Sequence, residues 1–360
     1  MPVSQDGRKV LVLGPLPPPI HGASLVTSAV ADELLRRGAQ LQVVTTASDR
    51  SGLAYHADRV LAHLRALALL ISWRAFSDKR LYLSVAGGYG LAYQAVLIGL
   101  AVRLGFVVVL HHHSFAYINT PSHLARVIAR SSLGDGCHVF LCDRMRNRFA
   151  STYELRARAI VVNNAAFVRP PLERRRQKAT NRFILGHLSN LSVDKGSVSA
   201  IQVFHRLVAE GADVELHLAG PIQDAATLRA VNAAKGSHAE RFRYYGPLSR
   251  DKVEGFLQNL DVFLFPSAYK NEAQPLVVLE ALAQGVPTVT TDVGCLPEFP
   301  QGMCVTVPLE SDVVAGFTAC VRGLLTSNRL TRLPVMIPEE QKSTGRSASA
   351  LWDEILGQHE

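Results

Sequence analysis

The chain has 360 residues, of which 48% are hydrophobic and 19% are charged, and it carries a formal net charge of +8. This composition excludes a disordered or fibrous chain and predicts two globular domains of ordinary size. Lys and Arg outnumber Asp and Glu by 23 to 10 in residues 1–178, whereas they are outnumbered by 20 to 15 in residues 179–360. The first half is therefore expected either to face an anionic partner or to present a solvated basic surface.

Several classes of protein are excluded by patterns that the sequence lacks. No secretory signal is predicted, and the most apolar stretch, residues 94–110, is broken by Arg103 and Gly105 before it reaches membrane-spanning length. The five cysteines are odd in number and lack the spacing of a zinc site. No zinc finger, RNP motif or basic helix-turn-helix pattern occurs, so nucleic acid is not an expected partner. These features favour a protein of the reducing cytoplasm.

The first half shows a recurring strand, helix and strand pattern. The apolar run at 9–14 predicts a buried strand, and a proline-rich loop leads from it to an amphipathic helix that has Ser24 as its N-cap and ends before Gly38. A second strand at 41–46 completes a βαβ unit. Further strands are predicted at 81–85, 106–110, 138–141 and 159–163, with a helix at 92–104. The pattern predicts a parallel sheet in a first domain at residues 1–170.

The same alternation restarts after a proline-rich, basic segment at 171–180, which is predicted to be a linker. A second domain is predicted at 181–330, and a C-terminal tail with a helix at 331–360. The predicted strands of the second domain lie at 183–188, 214–220, 242–246, 261–266 and 287–291, and its predicted helices lie at 197–210 and 276–284. The fold class is therefore α/β, with two Rossmann-like doubly wound domains facing across a cleft, where ligands of such sheets bind.

Two segments of the first domain have the residues of a binding site. The loop at 14–24 contains Gly22, which lets a ligand approach the backbone, and it runs into a helix N-terminus suited to a phosphate or a sugar hydroxyl. It lacks the GxGxxG and P-loop patterns. Three histidines, 111–113, follow an apolar strand; because adjacent side chains alternate in direction, they cannot all bind one metal. Either one or two of them contact a substrate, or all are internally satisfied strand-end residues.

The second domain has a lysine and two carboxylates in the loops and helix starts that follow its predicted strands. Lys195 precedes a predicted helix, where an ammonium could meet a phosphate. Glu272 lies in a loop, and Glu280 lies in the first turns of the helix for which Pro275 is a suitable start. Two carboxylates beside a helix N-terminus can bind the hydroxyls of a sugar and of a ribose, with a diphosphate between them. The alternative is that they only stabilise the helix dipole.

The segment 272–287 resembles the E-x7-E signature of glycosyltransferase family 4, the glycosyl transferases group 1, which are retaining enzymes of the GT-B architecture. Other segments resemble family motifs in the same order. These are the loop at 17–24, the HisHisHisSerPhe segment at 111–115, ValAsnAsnAla at 162–165 and SerAsnLeuSerValAspLysGly at 189–196. The resemblance covers nearly the whole chain.

The resemblance implies transfer of a sugar from a UDP- or GDP-sugar to a hydroxyl of a glycan or lipid-linked acceptor, with retention and without a metal or other cofactor. Polysaccharide, O-antigen or glycolipid assembly is the expected context. By position, Lys195 would hold the donor diphosphate, Glu272 the sugar hydroxyls and Glu280 the ribose, while His113 would contact the transferred sugar. The implied catalytic residues are His113, Lys195 and Glu272; the implied donor-binding residues are Gly22, Asn190, Lys195, Glu272, Pro275, Leu276, Val277 and Glu280; and the implied acceptor-binding residues are His21, His111 and Asn164.

Two positions depart from the family pattern. Asn190 stands where the family usually has Arg, and an amide supplies neither the charge nor the fork of a guanidinium. Lys195 with backbone donors, or Lys270, would then stabilise the diphosphate. Asn164-Ala165 replaces the usual Asn-Gly, a change that is expected to be harmless.

The acceptor is expected on the basic first domain, which also favours peripheral attachment to the inner face of the cytoplasmic membrane. Two basic clusters, namely Arg144, Arg146 and Arg148, and Arg156 and Arg158, are candidates for contact with anionic lipid. Two other functions stay open: a nucleotide-sugar epimerase or hydrolase of the same architecture, and a non-catalytic nucleotide-sugar-binding subunit, which the change at Asn190 would favour.

Overall fold

The computed structural model describes residues 8–88, 90–131, 133–168, 182–299, 304–326 and 348–357. The chain divides into two compact units: the first contains Met1–Phe167 and Lys342–Glu360, and the second contains Val168–Gln341. The segment predicted as a linker, 171–180, lies outside the described residues, and so do residues 331–347 of the predicted tail. The C-terminal helix at 348–356 belongs to the first unit.

The first unit is built on a six-stranded parallel sheet in the order β2-β1-β3-β4-β5-β6. Its strands are β1 (Lys9–Gly14), β2 (Gln40–Thr45), β3 (Lys79–Val85), β4 (Val107–His112), β5 (Cys137–Phe140) and β6 (Arg158–Val161). Its helices are α1 (Gly22–Arg36), α2 (Gly52–Ser72), α3 (Gly90–Arg103), α4 (Ala116–Asn119), α5 (His123–Arg130) and α6 (Asp143–Tyr153). The strands are rich in buried Val and Leu, as expected for a sheet covered by helices on both faces.

The start of α1 differs from the sequence prediction. His21, and not Ser24, is the N-cap residue: the Ser24 backbone N–H donates to His21 Nδ1 over 3.2 Å, and the His21 backbone N–H donates to Ser24 Oγ over 3.0 Å. The prediction of Ser24 as the N-cap was wrong because an imidazole can accept the same bond that a hydroxyl usually accepts. Ser24 is instead the third helical residue and supplies the reciprocal acceptor.

The last two residues of β4, His111 and His112, form part of the core. His112 is buried, and its ring lies 2.7 Å from Tyr117 Oη and 2.8 Å from His138 Nδ1. His111 is also fully buried, with Nδ1 2.7 Å from Tyr82 Oη. Burial lowers the pKa of both imidazoles well below its usual range, so these rings are neutral hydrogen-bonding groups of the interior.

The second unit also has a six-stranded parallel sheet, in the order β12-β11-β10-β7-β8-β9. Its strands are β7 (Phe183–Leu188), β8 (Val214–Ala219), β9 (Phe242–Tyr244), β10 (Val262–Phe265), β11 (Thr288–Thr291) and β12 (Cys304–Val307). Its helices are α7 (Ser197–Ala209), α8 (Ala225–Ser237), α9 (Arg250–Gln258), α10 (Leu276–Ala283) and α11 (Val313–Thr326). Both units thus have the doubly wound α/β fold that the sequence predicts.

No helix in the described ranges combines the length and the apolar character that a bilayer crossing requires.

Candidate functional site

The residues predicted to bind the donor lie where the winding of the second sheet reverses. From β7 the chain proceeds outward through β8 and β9, whereas β10, which adjoins β7 on the other side, leads outward through β11 and β12. Lys195 follows β7 and Glu272 follows β10. In doubly wound sheets the loops after the strands separate at this switch point and leave a crevice for a ligand. The fold therefore brings together two residues that are 77 positions apart.

Lys195 and Glu272 form an ion pair in this crevice. Lys195 Nζ donates to Glu272 Oε2 over 2.6 Å, and the two side chains are 24% and 10% exposed. The ammonium also lies 4.4 Å from the centroid of the Tyr269 ring, a cation–π contact that limits its freedom. Ser267 Oγ donates to the same carboxylate oxygen over 3.3 Å. An ammonium held in this way is oriented for an anion that enters the crevice.

The backbone around Lys195 is packed tightly against the end of β10. Gly196 is the N-cap residue of α7 and has a φ of 78°, and a Cβ on it would overlap the carbonyl oxygen of Pro266. The Ala268 backbone N–H donates to the carbonyl oxygen of Asp194 over 2.8 Å. These contacts fix the loop after β7 to the loop after β10 and so set the separation of Lys195 and Glu272.

His187 supports the same junction from inside the sheet. Its Nδ1 lies 2.9 Å from the carbonyl oxygen of Leu264 on β10, and its Nε2 lies 3.1 Å from Ser197 Oγ on α7. Burial lowers the pKa of His187 to about 4, so the ring is neutral and joins β7, β10 and α7 without adding charge. The sequence analysis missed this residue because its role depends on the adjacency of β7 and β10.

Glu280 is the fifth residue of α10 and is buried. Its carboxylate forms an ion pair with Arg250, the first residue of α9. Pro275 is the N-cap residue of α10, and Leu276 and Val277 are its first two helical residues. Backbone N–H groups at these positions have no acceptor within the helix, so they can serve an external anion. Arg250 was missed by the sequence analysis, since nothing in its local sequence indicates that it approaches Glu280.

Asn190 is exposed and is the second residue after the end of β7. The next residue, Leu191, pairs with Ile222 in an isolated bridge. The position is thus beside the crevice, but it carries a neutral amide. Lys270, the predicted substitute cation, is exposed in the loop between β10 and α10.

The predicted residues of the first unit lie after β1, after β4 and after β6. Gly22 is exposed at the first position of α1, and open space surrounds the point where a Cβ would be. Asn164 is buried at the start of a short 3-10 helix, Asn164–Phe167. His21 is partly buried, and burial lowers its pKa. Gly22 is therefore accessible, whereas His21 has a structural role as the N-cap residue of α1.

His113 is the first residue beyond β4. Its Nε2 is buried and has no hydrogen-bond partner among the described residues. Burial, followed by the nearby His21 ring, lowers the pKa of His113 to about 3. A neutral imidazole with a free nitrogen fits a hydrogen bond to a sugar hydroxyl. His111, by contrast, has no exposed surface from which to contact an acceptor, because its ring is enclosed in the core.

Most of the second unit matches a known protein-family model. Residues 182–327 match the family model described as "Glycosyl transferases group 1". The chain is 35% identical over 119 residues to N-acetyl-alpha-D-glucosaminyl L-malate synthase of Bacillus anthracis, a match that covers 33% of this chain and 29% of that protein. It is 27% identical over 134 residues to the O-antigen biosynthesis glycosyltransferase WclY of Escherichia coli, covering 36% of this chain and 34% of that protein. The chain thus spans about a third of the length of these curated relatives.

Solved structures resemble the whole chain. Sucrose-phosphate synthase from Thermosynechococcus elongatus superposes with a TM-score of 0.68 at 14% identity, covering 98% of this chain and 97% of that one. The Anabaena protein Alr3699/HepE in complex with UDP-glucose gives a TM-score of 0.62 at 16% identity, and the match covers 95% of this chain and 99% of that one. At these identities the likeness shows the fold alone. The two-domain α/β fold predicted from the sequence is confirmed, and residues 182–327 match the glycosyl transferases group 1 model.

Proposed function

We propose that the chain is a retaining, metal-independent glycosyltransferase that moves a sugar from a UDP- or GDP-sugar to a hydroxyl of a glycan or lipid-linked acceptor. The observation that carries this proposal is the ion pair of Lys195 and Glu272 at the switch point of the second sheet, within the residues that match the glycosyltransferase model. The names of the relatives, which include an O-antigen glycosyltransferase, support polysaccharide, O-antigen or glycolipid assembly as its context.

In the proposed reaction the bond between the sugar C1 and the diphosphate oxygen breaks, and a bond from the acceptor oxygen to C1 forms on the same face. The acceptor proton passes to an oxygen of the leaving phosphate. Negative charge grows on the diphosphate as positive charge grows on the sugar ring. Lys195 and the N–H groups of Leu276 and Val277 are the donors assigned to the diphosphate, and such pre-oriented groups lower the barrier because they stabilise charge that develops in the transition state.

The remaining roles follow from chemistry and position. Glu272 is assigned to the donor sugar hydroxyls and Glu280 to the ribose, because carboxylates form strong hydrogen bonds to hydroxyl groups. His113 is assigned to the transferred sugar through its partnerless Nε2. The Anabaena structure was solved with UDP-glucose, which favours a uridine donor among the two nucleotide classes.

Nucleotide binding tests the proposal directly. A ligand at 100 times its dissociation constant adds about 2.7 kcal/mol of stability, so UDP, GDP and ADP should be compared by thermal denaturation of the purified protein. We expect UDP or GDP to raise the melting temperature of the wild type and to have little effect on Lys195→Ala and Glu280→Ala. Lys252→Ala, which changes an exposed lysine of α9, is the matched control. If no nucleotide raises the melting temperature of the wild type, the proposed donor site in the second unit is refuted.

Peripheral membrane attachment through the first unit is part of the proposal. Helix α2 has large apolar side chains on its outer face, among them Leu53, Leu61 and Leu64, which are 88%, 67% and 55% exposed. Val96 on the adjacent helix α3 is 67% exposed. Large apolar side chains exposed on two adjacent helices are a candidate interaction surface, and the excess of Lys and Arg in residues 1–178 favours an anionic bilayer as its partner.

Vesicle flotation distinguishes this membrane attachment from non-specific hydrophobic binding. We expect the wild type to float with vesicles that contain phosphatidylglycerol and to be released as the salt concentration rises, because salt screens surface charge. The double substitution Leu61→Glu/Leu64→Glu should abolish flotation, whereas Leu228→Glu, at a leucine of α8 that is 47% exposed, should not. Equal binding to neutral vesicles, or binding by the α2 variant, would contradict attachment through this face.

A further inference from the structure

A cavity of about 750 Å³ lies at the amino-terminal edge of the first sheet. Its lining includes Arg80 near the start of β3, Val107 at the start of β4, Gly136 just before β5 and Arg158 at the start of β6. These four strands are neighbours in the sheet. The residues assigned to the sugar and acceptor follow the carboxyl ends instead, and a six-residue strand separates the two edges by roughly 16 Å. The cavity is therefore distinct from the candidate active site.

Four arginines from three segments of the chain converge on this cavity. Arg80 comes from β3, Arg130 from the last position of α5, and Arg156 and Arg158 from the approach to β6 and its first residue. Guanidinium groups remain charged at any physiological pH. Asp135 is the carboxylate among the lining residues. The cavity thus concentrates positive charge that came from positions far apart in the sequence.

Arg80 is held in place before any ligand arrives. Its Nε donates to Asp78 Oδ1 over 3.1 Å, its Nη1 donates to the backbone oxygen of Glu354 over 3.1 Å, and the side chain is only 13% exposed. Gly357, which has a φ of 63°, gives the guanidinium its space, because a Cβ there would overlap Arg80 Nη2. A pre-oriented guanidinium loses little freedom when it binds a ligand.

The other three arginines differ in how firmly they are paired. Arg158 forms an ion pair with Glu354, whose side chain is 5% exposed. Arg130 pairs with Glu154 over 2.6 Å, but both side chains are largely exposed, at 42% and 72%, so this pair contributes little. Arg156 is exposed and has no ion pair among the described residues. Arg130 and Arg156 are therefore available to an external anion, beside two arginines that are fixed.

We propose that this cavity is an anion site that binds a phosphate-bearing ligand. The fork of a guanidinium matches the oxygens of a phosphate in two parallel hydrogen bonds. Arg158 is already paired with Glu354, so Arg130 and Arg156 are the arginines that a ligand would engage. The volume lies within the range of small-molecule sites. The phosphate comes either from a lipid headgroup or from a soluble phosphate compound.

Two binding measurements on the full chain distinguish these sources. Inorganic pyrophosphate is titrated calorimetrically into Lys195→Ala, so that the donor site does not contribute, and flotation is measured with vesicles that contain phosphatidylglycerol. Both measurements are then repeated with protein that also carries Arg130→Gln and Arg156→Gln. These two positions are exposed, so their replacement leaves the core unchanged. The control pair is Arg36→Gln/Arg50→Gln, exposed arginines of the same unit that pair with Glu33 and Asp58.

Loss of the two arginines should weaken the binding of the true ligand by about tenfold or more, because the variant lacks two donors of charge-assisted hydrogen bonds. A tenfold loss for pyrophosphate, with the control pair unaffected, supports a soluble phosphate. A loss confined to vesicle binding supports a lipid headgroup. If neither measurement separates the cavity variant from the control pair, the anion site is refuted, and this result is independent of nucleotide binding by the second unit.

Discussion

Replacing Lys195 with alanine should lower the rate of sugar transfer by about 100- to 1000-fold, the usual effect of removing one pre-oriented group that stabilises a developing anion. The reason is that Lys195 is the cation that the structure places against Glu272, while Asn190 offers only an amide. The measurement is release of the nucleoside diphosphate from whichever nucleotide sugar the binding experiment identifies. Lys252→Ala should retain the wild-type rate.

A second variant decides what Lys195 does. Lys195→Ala leaves the Glu272 carboxylate, which is 10% exposed, without its cation, so part of any loss could arise from misfolding of the site. In Lys195→Ala/Glu272→Gln the unpaired charge is removed. If the lysine serves only to neutralise Glu272, this double variant recovers nucleotide binding. If the lysine contacts the diphosphate, binding stays weak, and recovery would contradict the proposed role.

Gly196→Ala should destabilise the second unit by about 3 kcal/mol or more. An alanine at a φ of 78° costs roughly 1–2 kcal/mol by itself, and its Cβ would also overlap the carbonyl oxygen of Pro266, so the backbone must shift as well. The melting temperature of the second unit's transition, followed by circular dichroism, is the measurement. A fall of only one or two degrees would mean that the two loops are not held as closely as described.

Gly236→Ala is the matched control for this prediction. Gly236 lies within α8, where nothing approaches the position of its missing Cβ and no positive φ is required. Alanine has the higher helix propensity, so this substitution should stabilise the unit by about 0.5–1 kcal/mol. The two glycine substitutions are therefore expected to have opposite signs.

The elements that could be predicted from sequence are those bounded by strong local signals. Strand β7 and the start of α10 fall where predicted, because an apolar run follows polar residues in the first case and Pro275 precedes the helix in the second. Helix α2 was not predicted, since its sequence is apolar nearly throughout and its N-cap residue, Ser51, makes no side-chain capping bond. Strand β12 and helix α9 were missed as well, because short elements give weak periodicity.

Some features of the candidate site could likewise be predicted from the sequence, and others could not. The residue types around Lys195, Glu272 and Glu280 were identifiable because they follow strands and precede helices. The contacts of Tyr269 with Lys195 and of Arg250 with Glu280 were not, since they depend on the order of strands and on the packing of α9 against α10. The four-arginine cavity required the neighbouring positions of β3, β4, β5 and β6, which no local pattern determines.

The C-terminal helix makes the second unit an insertion into the first. Leu351, Trp352 and Ile355 are buried, and the helix that carries them belongs with Met1–Phe167 although the whole second unit intervenes. During synthesis the first unit therefore cannot complete its core until residues 348–356 leave the ribosome, whereas the second unit is contiguous and can fold earlier. A truncation near residue 341 would consequently damage the distant amino-terminal unit and spare the neighbouring one.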